Sequence, residues 1–139
     1  MIFPLRIARL QPNRDRNDES MDMLAEWLPR AGAALTVLLG LVGFFKPQLI
    51  TDGQQITLGS PMALSEARVV FGGLHLGGGI MALALHNPAI YLTLGVAWAC
   101  GLLARLYSMV ADKTSLKDSL PGIVVDSVMA LLFLGVALA

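Results

Sequence analysis

Charge is scarce in this chain, and where it occurs it cancels. Lysine, arginine, aspartate and glutamate supply only 14% of the 139 residues, ten basic against ten acidic. A soluble domain carries about 25%. So small a supply cannot cover a water-soluble fold of this length. The absence of a basic excess also removes the footprint of a nucleic-acid binder, and no nucleic-acid partner is expected. Cysteine is nearly absent. Cys100 stands alone in an apolar run, which excludes an intrachain disulfide and any zinc or iron–sulfur ligand set. It reads as a small packing residue. Catalytic signatures are missing as well. The chain has no nucleophile elbow, no phosphate-binding loop and no metal-binding histidine motif. Neither an enzymatic activity nor a bound cofactor is expected. Of the two histidines, His75 has no second ligand at helical spacing and His86 lies at the other end of its segment, which argues against haem or metal.

What the chain has is apolar length. Hydrophobic residues make up 55% of it, and the mean hydropathy is +0.67. Four apolar segments predict helices at about 24–45, 61–85, 88–110 and 121–139. Spanning the hydrocarbon core of a bilayer takes about 20 helical residues. The second and third segments meet that with ease; the first and fourth are near the minimum. Ser60 with Pro61, and Asn87 with Pro88, are cap-then-proline start signals. Pro29 either begins the first membrane helix or kinks it. Residues 46–59 form the longest connection, in which Thr51-Asp52-Gly53-Gln54 reads as a turn. The expected fold is all-α, an integral membrane four-helix bundle over residues 23–139.

Residues 1–22 form a separate polar, arginine-rich extension. It reads either as a flexible tail or as an interfacial segment, with Phe3, Ile7 and Leu10 opposite Arg6 and Arg9. Met21 or Met23 is an alternative start. No apolar core of signal-peptide length follows the first arginines, so no cleaved leader is expected. The N-terminal side carries five arginines, counting Arg30, and the 86–88 connection carries no lysine or arginine. The opposite side carries Lys46, Arg68, Lys113 and Lys117. This bias places both termini in the cytoplasm, N-in and C-in, in a multi-pass protein.

Ionisable residues at membrane depth are costly and mark the interior of a bundle. Here they are Glu66, Arg68, His75, Arg105 and Asp126. Arg105 precedes the end of the third segment, and Asp126 follows the start of the fourth, each by five residues. At the helical rise, both lie about 8 Å inside the same end of an antiparallel hairpin. Arg68 shares that end, and His75 follows it by seven residues on the same predicted face, about 10 Å deeper. The expected pairs are Arg105 with Asp126, and Arg68 with Glu66 or Asp126. Three readings stay open for this outward-facing cluster: a charge network fixing helix register, a pocket for an anionic or lipid-like ligand, and a proton-coupled transport site using Asp126 and His75. Small residues recur at the spacing that lets membrane helices approach closely, among them Gly72, Gly73, Gly77 and Gly101. They serve packing within the bundle or an interface with a protein partner or a second copy. Membrane lipid is the remaining expected partner.

The stretch from Ser65 to Gly77, SEARVVFGGLHLG, resembles the second-helix signature of a bacterial family of four-helix membrane proteins, domain of unknown function 4345. The segment Gly101-Leu102-Leu103-Ala104-Arg105-Leu106 resembles that family's third-helix signature. The resemblance covers about residues 24–138. It implies the four-helix fold, a place in the bacterial inner membrane, and marked positions at Arg68, Gly72, Gly73, Arg105 and Asp126, with aspartate where glutamate is frequent. It implies no activity. A weaker similarity to DoxX-like proteins implies a redox-associated role. Together these observations lead to the expectation of a non-enzymatic accessory subunit or homo-oligomer, with a ligand transporter or binder as the alternative.

Overall fold

The structure, a computed structural model, describes residues 14–135, with side chains from residue 19 onward. The interfacial stripe at residues 2–10 and the last residues of the fourth predicted helix lie outside the described residues. Every regular element among the described residues is helical: α1 (Arg14–Phe45), α2 (Gln48–Gly53), α3 (Pro61–Ala67), a π-helical segment (Arg68–Gly73), α4 (Leu74–Leu85), α5 (Pro88–Ala111) and α6 (Leu116–Leu134). The α3, π and α4 pieces follow one another without a break, as one rod over Pro61–Leu85.

Local chemistry explains most boundaries. Ser60 caps α3 by accepting the Ala63 N–H at 3.1 Å, and Asn87 caps α5 by accepting the Ala89 N–H at 2.8 Å. Three boundaries differ from expectation. First, α1 takes in residues 14–22, expected to belong to the extension. No glycine or proline interrupts the run from Arg14 to Leu28, and the helix continues through Pro29 at the cost of one backbone hydrogen bond. Second, α6 starts at Leu116 rather than Pro121. Ser115 accepts the Asp118 N–H at 3.1 Å, a cap strong enough to start the helix five residues before the proline. Third, the turn expected at Thr51–Gln54 is part of α2 and its C-cap. Thr51 and Pro47 are fully buried there, and the Thr51 hydroxyl donates to the Pro47 carbonyl at 3.3 Å.

Three helices are long and apolar enough to cross a membrane: Glu19–Phe45, Pro61–Leu85 and Pro88–Ala111. The described part of α6 falls short, at 19 residues that include Lys117, Asp118 and Asp126. The outside of the protein is apolar. Leu74, Leu103, Val110 and Leu131 are each more than 60% exposed, the reverse of a fold built for water. The centre is small: Ala33, Ala82, Met129 and Phe133 form the buried core, with Leu94 and Trp98 against it.

Packing divides the helices into two close pairs. α1 lies along α4 and the π segment, and α5 lies along α6. Contact between α1 and α6 joins the pairs, whereas α4 touches α5 only lightly. In the first pair, glycine brings the backbones together. A methyl group added at Gly79 would sit 2.8 Å from the Val37 nitrogen, and one at Gly72 would sit 2.7 Å from the Phe44 Cα and nitrogen. Gly40 and Gly43 receive the backbone of Leu76 and Phe71 from the other side. Gly73 and Gly77, expected to serve packing within the bundle or an interface, meet no other helix among the described residues of this chain. Gly77 has nothing within 4 Å, and Gly73 only its own helix's Arg68 carbonyl at 4.0 Å. Cys100 is likewise exposed rather than packed.

Candidate functional site

Because α4 and α5 barely meet, a cavity of about 710 Å³ remains between the pairs, at the end that holds the 46–60 and 112–115 connections. Its charged centre is a single ion pair. Arg105 sits two turns before the end of α5, and Asp126 three turns into α6, so the antiparallel pair brings them level. The Arg105 Nε–H donates to Asp126 Oδ2 at 2.7 Å. Asp126 is only 5% exposed, whereas the Arg105 side chain is 32% exposed. A charge-assisted bond of this kind is what makes a buried carboxylate tolerable.

Two glycines shape the pair. Gly122 lies one turn before Asp126 on α6. A methyl group there would fall 2.5 Å from Arg105 Nε and Nη1, so the guanidinium rests directly over the glycine. Gly101 lies one turn before Arg105 on α5, and the Asp126 carboxylate approaches it to ordinary contact distance, 3.5 Å from where a Cβ would be. Its spacing marks Gly101 as a packing residue; its neighbour across the interface is the carboxylate. Gly122 does not stand out in the sequence, because Pro121 beside it reads as a helix start.

His75 enters the cavity from α4. Its ring meets Trp98 edge to face at 5.4 Å. Its Nδ1 lies 3.1 Å from the Val70 carbonyl, five residues back. A carbonyl only accepts, so Nδ1 carries the proton and Nε2 is the remaining ring nitrogen. Trp98 and Arg105 are seven residues apart on α5 and share a face, so the indole lies deeper on the stripe that carries the guanidinium. Trp98 is absent from the expected cluster, although this spacing alone would have placed it there.

Glu66 and Arg68 stand apart from this cluster. Both are exposed, and neither lines the cavity. Among the described residues no ion pair joins Arg68 to Glu66 or to Asp126, which corrects the expectation. Two physical reasons apply. Residues two apart on a helix do not face each other, which separates Glu66 from Arg68. The π segment begins at Arg68. A π turn holds an extra residue, so everything after it is rotated by about 100° relative to a continuous α-helix. The face shared by Arg68 and His75 in an α-helix is therefore split, and only His75 points into the cavity. The same rotation leaves Gly73 and Gly77 on an open face.

The remaining lining is divided. Leu39, Phe71, Trp98, Ala104 and Val125 are apolar, and Gln54, Gln55, Ser108, Thr114, Ser115 and Ser119 form a polar rim. Among the described residues, no three His, Cys, Asp or Glu side chains converge to hold a metal ion. A second cavity, of about 340 Å³, lies at the opposite end between residues 25–30 of α1 and the α4–α5 turn. There Glu26 is paired with Arg30, Arg30 lies over Trp27 at 5.4 Å, and His86 Nδ1 is 3.2 Å from the Tyr91 hydroxyl.

Comparison with known proteins places the chain in a family. No curated protein and no solved structure matches it. A family model described as Domain of unknown function (DUF4345) matches residues 25–137, most of the chain, and the chain belongs to that family.

Proposed function

We propose that the protein is a non-enzymatic, multi-pass protein of the inner membrane that binds a small lipid-like ligand in the cavity around Arg105 and Asp126. In this reading α6 completes a four-helix bundle with three longer spans, both termini are cytoplasmic, and the cavity opens on the outer side. One observation carries the proposal. Arg105 spends only its Nε–H on Asp126, and its Nη groups have no protein acceptor among the described residues while lining a cavity with apolar walls and a polar rim. A register-fixing network alone has no need of such a cavity. Binding sites for small molecules are apolar clefts with a few converging polar groups, and this one has that form.

A second reading, subunit of a larger complex or homo-oligomer, is supported by a separate observation: Gly73 and Gly77 present an open, exposed face, and small residues of this spacing support close helix approach in lipid. Native mass spectrometry from mild detergent, with wild type beside Arg105→Ala and Gly77→Leu, tests both. A co-purified lipid-like molecule that Arg105→Ala loses supports the ligand binder. A defined assembly that Gly77→Leu dissolves supports the subunit. A bare monomer in every case defeats both readings.

A further inference from the structure

We infer, resting on the ligand-binding reading above, that the cavity recognises a hydroxyl rather than an anion. Its ligand is an uncharged amphiphile whose head group both accepts and donates a hydrogen bond: an alcohol or a phenol on an apolar tail.

The charge on the cavity wall comes first. Two carboxylates, Asp126 and Asp118, line the cavity with Arg105. Even with His75 counted as a cation, the wall has no positive excess. Asp118 is held at the start of α6, where the Ser115 hydroxyl donates to it at 2.6 Å. Asp126 is bound to Arg105 itself. An arriving carboxylate or phosphate would meet an arginine already neutralised, with the partner carboxylate beside it. In a low-dielectric site that like-charge contact is costly.

The hydrogen-bonding pattern comes second. A guanidinium has five N–H donors, and Arg105 uses only Nε on the protein. Asp126 accepts through Oδ2; Oδ1 receives no hydrogen bond from the protein. Among the described residues no buried side-chain nitrogen or oxygen lacks a partner, so Oδ1 keeps some accessible surface, on a residue that lines the cavity. The site therefore offers donors on Nη and an acceptor on Oδ1, on adjacent groups of one ion pair. A hydroxyl matches both, its oxygen accepting from Nη and its proton donated to Oδ1. A carboxylate or phosphate dianion has only acceptors and would leave Oδ1 facing a second negative charge. Trp98, Leu39, Phe71 and Val125 line the same cavity and supply apolar wall for a tail.

The test is photo-crosslinking of the full chain in nanodiscs of phosphatidylcholine. Two probes carry the same diazirine-bearing hexadecyl chain, one ending in a hydroxyl and one in a carboxyl, used at alkaline pH where the acid is ionised. The alcohol should label cavity-wall peptides at least tenfold more than the acid, and excess hexadecanol should compete it away. Asp126→Asn, which leaves Arg105 uncompensated, should turn the preference toward the acid. Ala104→Trp, which fills the cavity without touching the pair, should abolish labelling by both probes. Equal or stronger wild-type labelling of the wall by the acid would overturn the hydroxyl inference and leave the binding site standing. Labelling confined to outer residues such as Leu74 and Val110 with both probes would overturn the binding reading as well.

Discussion

Among the described residues, the two close helix pairs differ in that only one of them has an ion pair across its interface. Where α1 meets the π segment and α4, glycine on both sides lets backbone touch backbone, through Gly40, Gly43, Gly72 and Gly79. Where α5 meets α6, one ion pair crosses the interface beside Gly101 and Gly122, while Gly95 admits the side chains of Phe133 and Leu134 farther along. Lipid supplies no hydrophobic drive between apolar helices. A pair can then be held by proximity, which tolerates no side chain, or by charge, which tolerates no lone partner. The first solution closes the space between helices. The second keeps a polar group at depth and leaves a cavity beside it.

The contrast can be broken hardest at Gly79. A Gly79→Leu substitution drives a branched side chain into the Val37 backbone and should cost about 3 kcal/mol. Thermal unfolding in detergent would read it, and a wild-type melting point would mean that α1 is free to move aside. The ion pair gives a smaller effect with a definite asymmetry. Arg105→Ala strands the more buried partner and should cost about 2 kcal/mol, whereas Asp126→Asn keeps a hydrogen-bonding group and should cost about 1 kcal/mol. Unfolding in mixed micelles distinguishes them; equal costs would show that the burial of Asp126 does not set the penalty. Smallest is Gly122→Ala. The added methyl group meets the mobile end of Arg105, so about 0.5–1 kcal/mol is expected. That cost should vanish in an Arg105→Ala background. The same penalty in both backgrounds would assign Gly122 to the backbone rather than to the ion pair.

Much of this arrangement is legible in the sequence, for reasons that can be named. Ser60-Pro61 and Asn87-Pro88 mark helix starts because a cap and a first-turn proline act locally. Arg105 and Asp126 can be paired because both are counted from one short hairpin. The π segment is not legible. A helix whose outer face meets lipid is apolar nearly everywhere, so its periodicity cannot report one extra residue in a turn, and the relation between Arg68 and His75 is lost with it. The start of α6 is masked because Pro121 is a louder signal than the Ser115–Asp118 cap. The helix at residues 48–53 is hidden because Thr51-Asp52-Gly53 has turn chemistry, and only the burial of Thr51 and Pro47 makes it helical.

Trp98, edge to face with His75 in the wall of the cavity, has an optical consequence. The chain contains two tryptophans, and the other, Trp27, is exposed beside Arg30, near the middle of α1. Replacing Trp27 with phenylalanine leaves a single indole, inside the site. Indole emission follows the polarity of its surroundings, so water leaving the cavity or a tail sliding past Trp98 becomes a shift in colour. The protein carries its own gauge of occupancy, with no label attached.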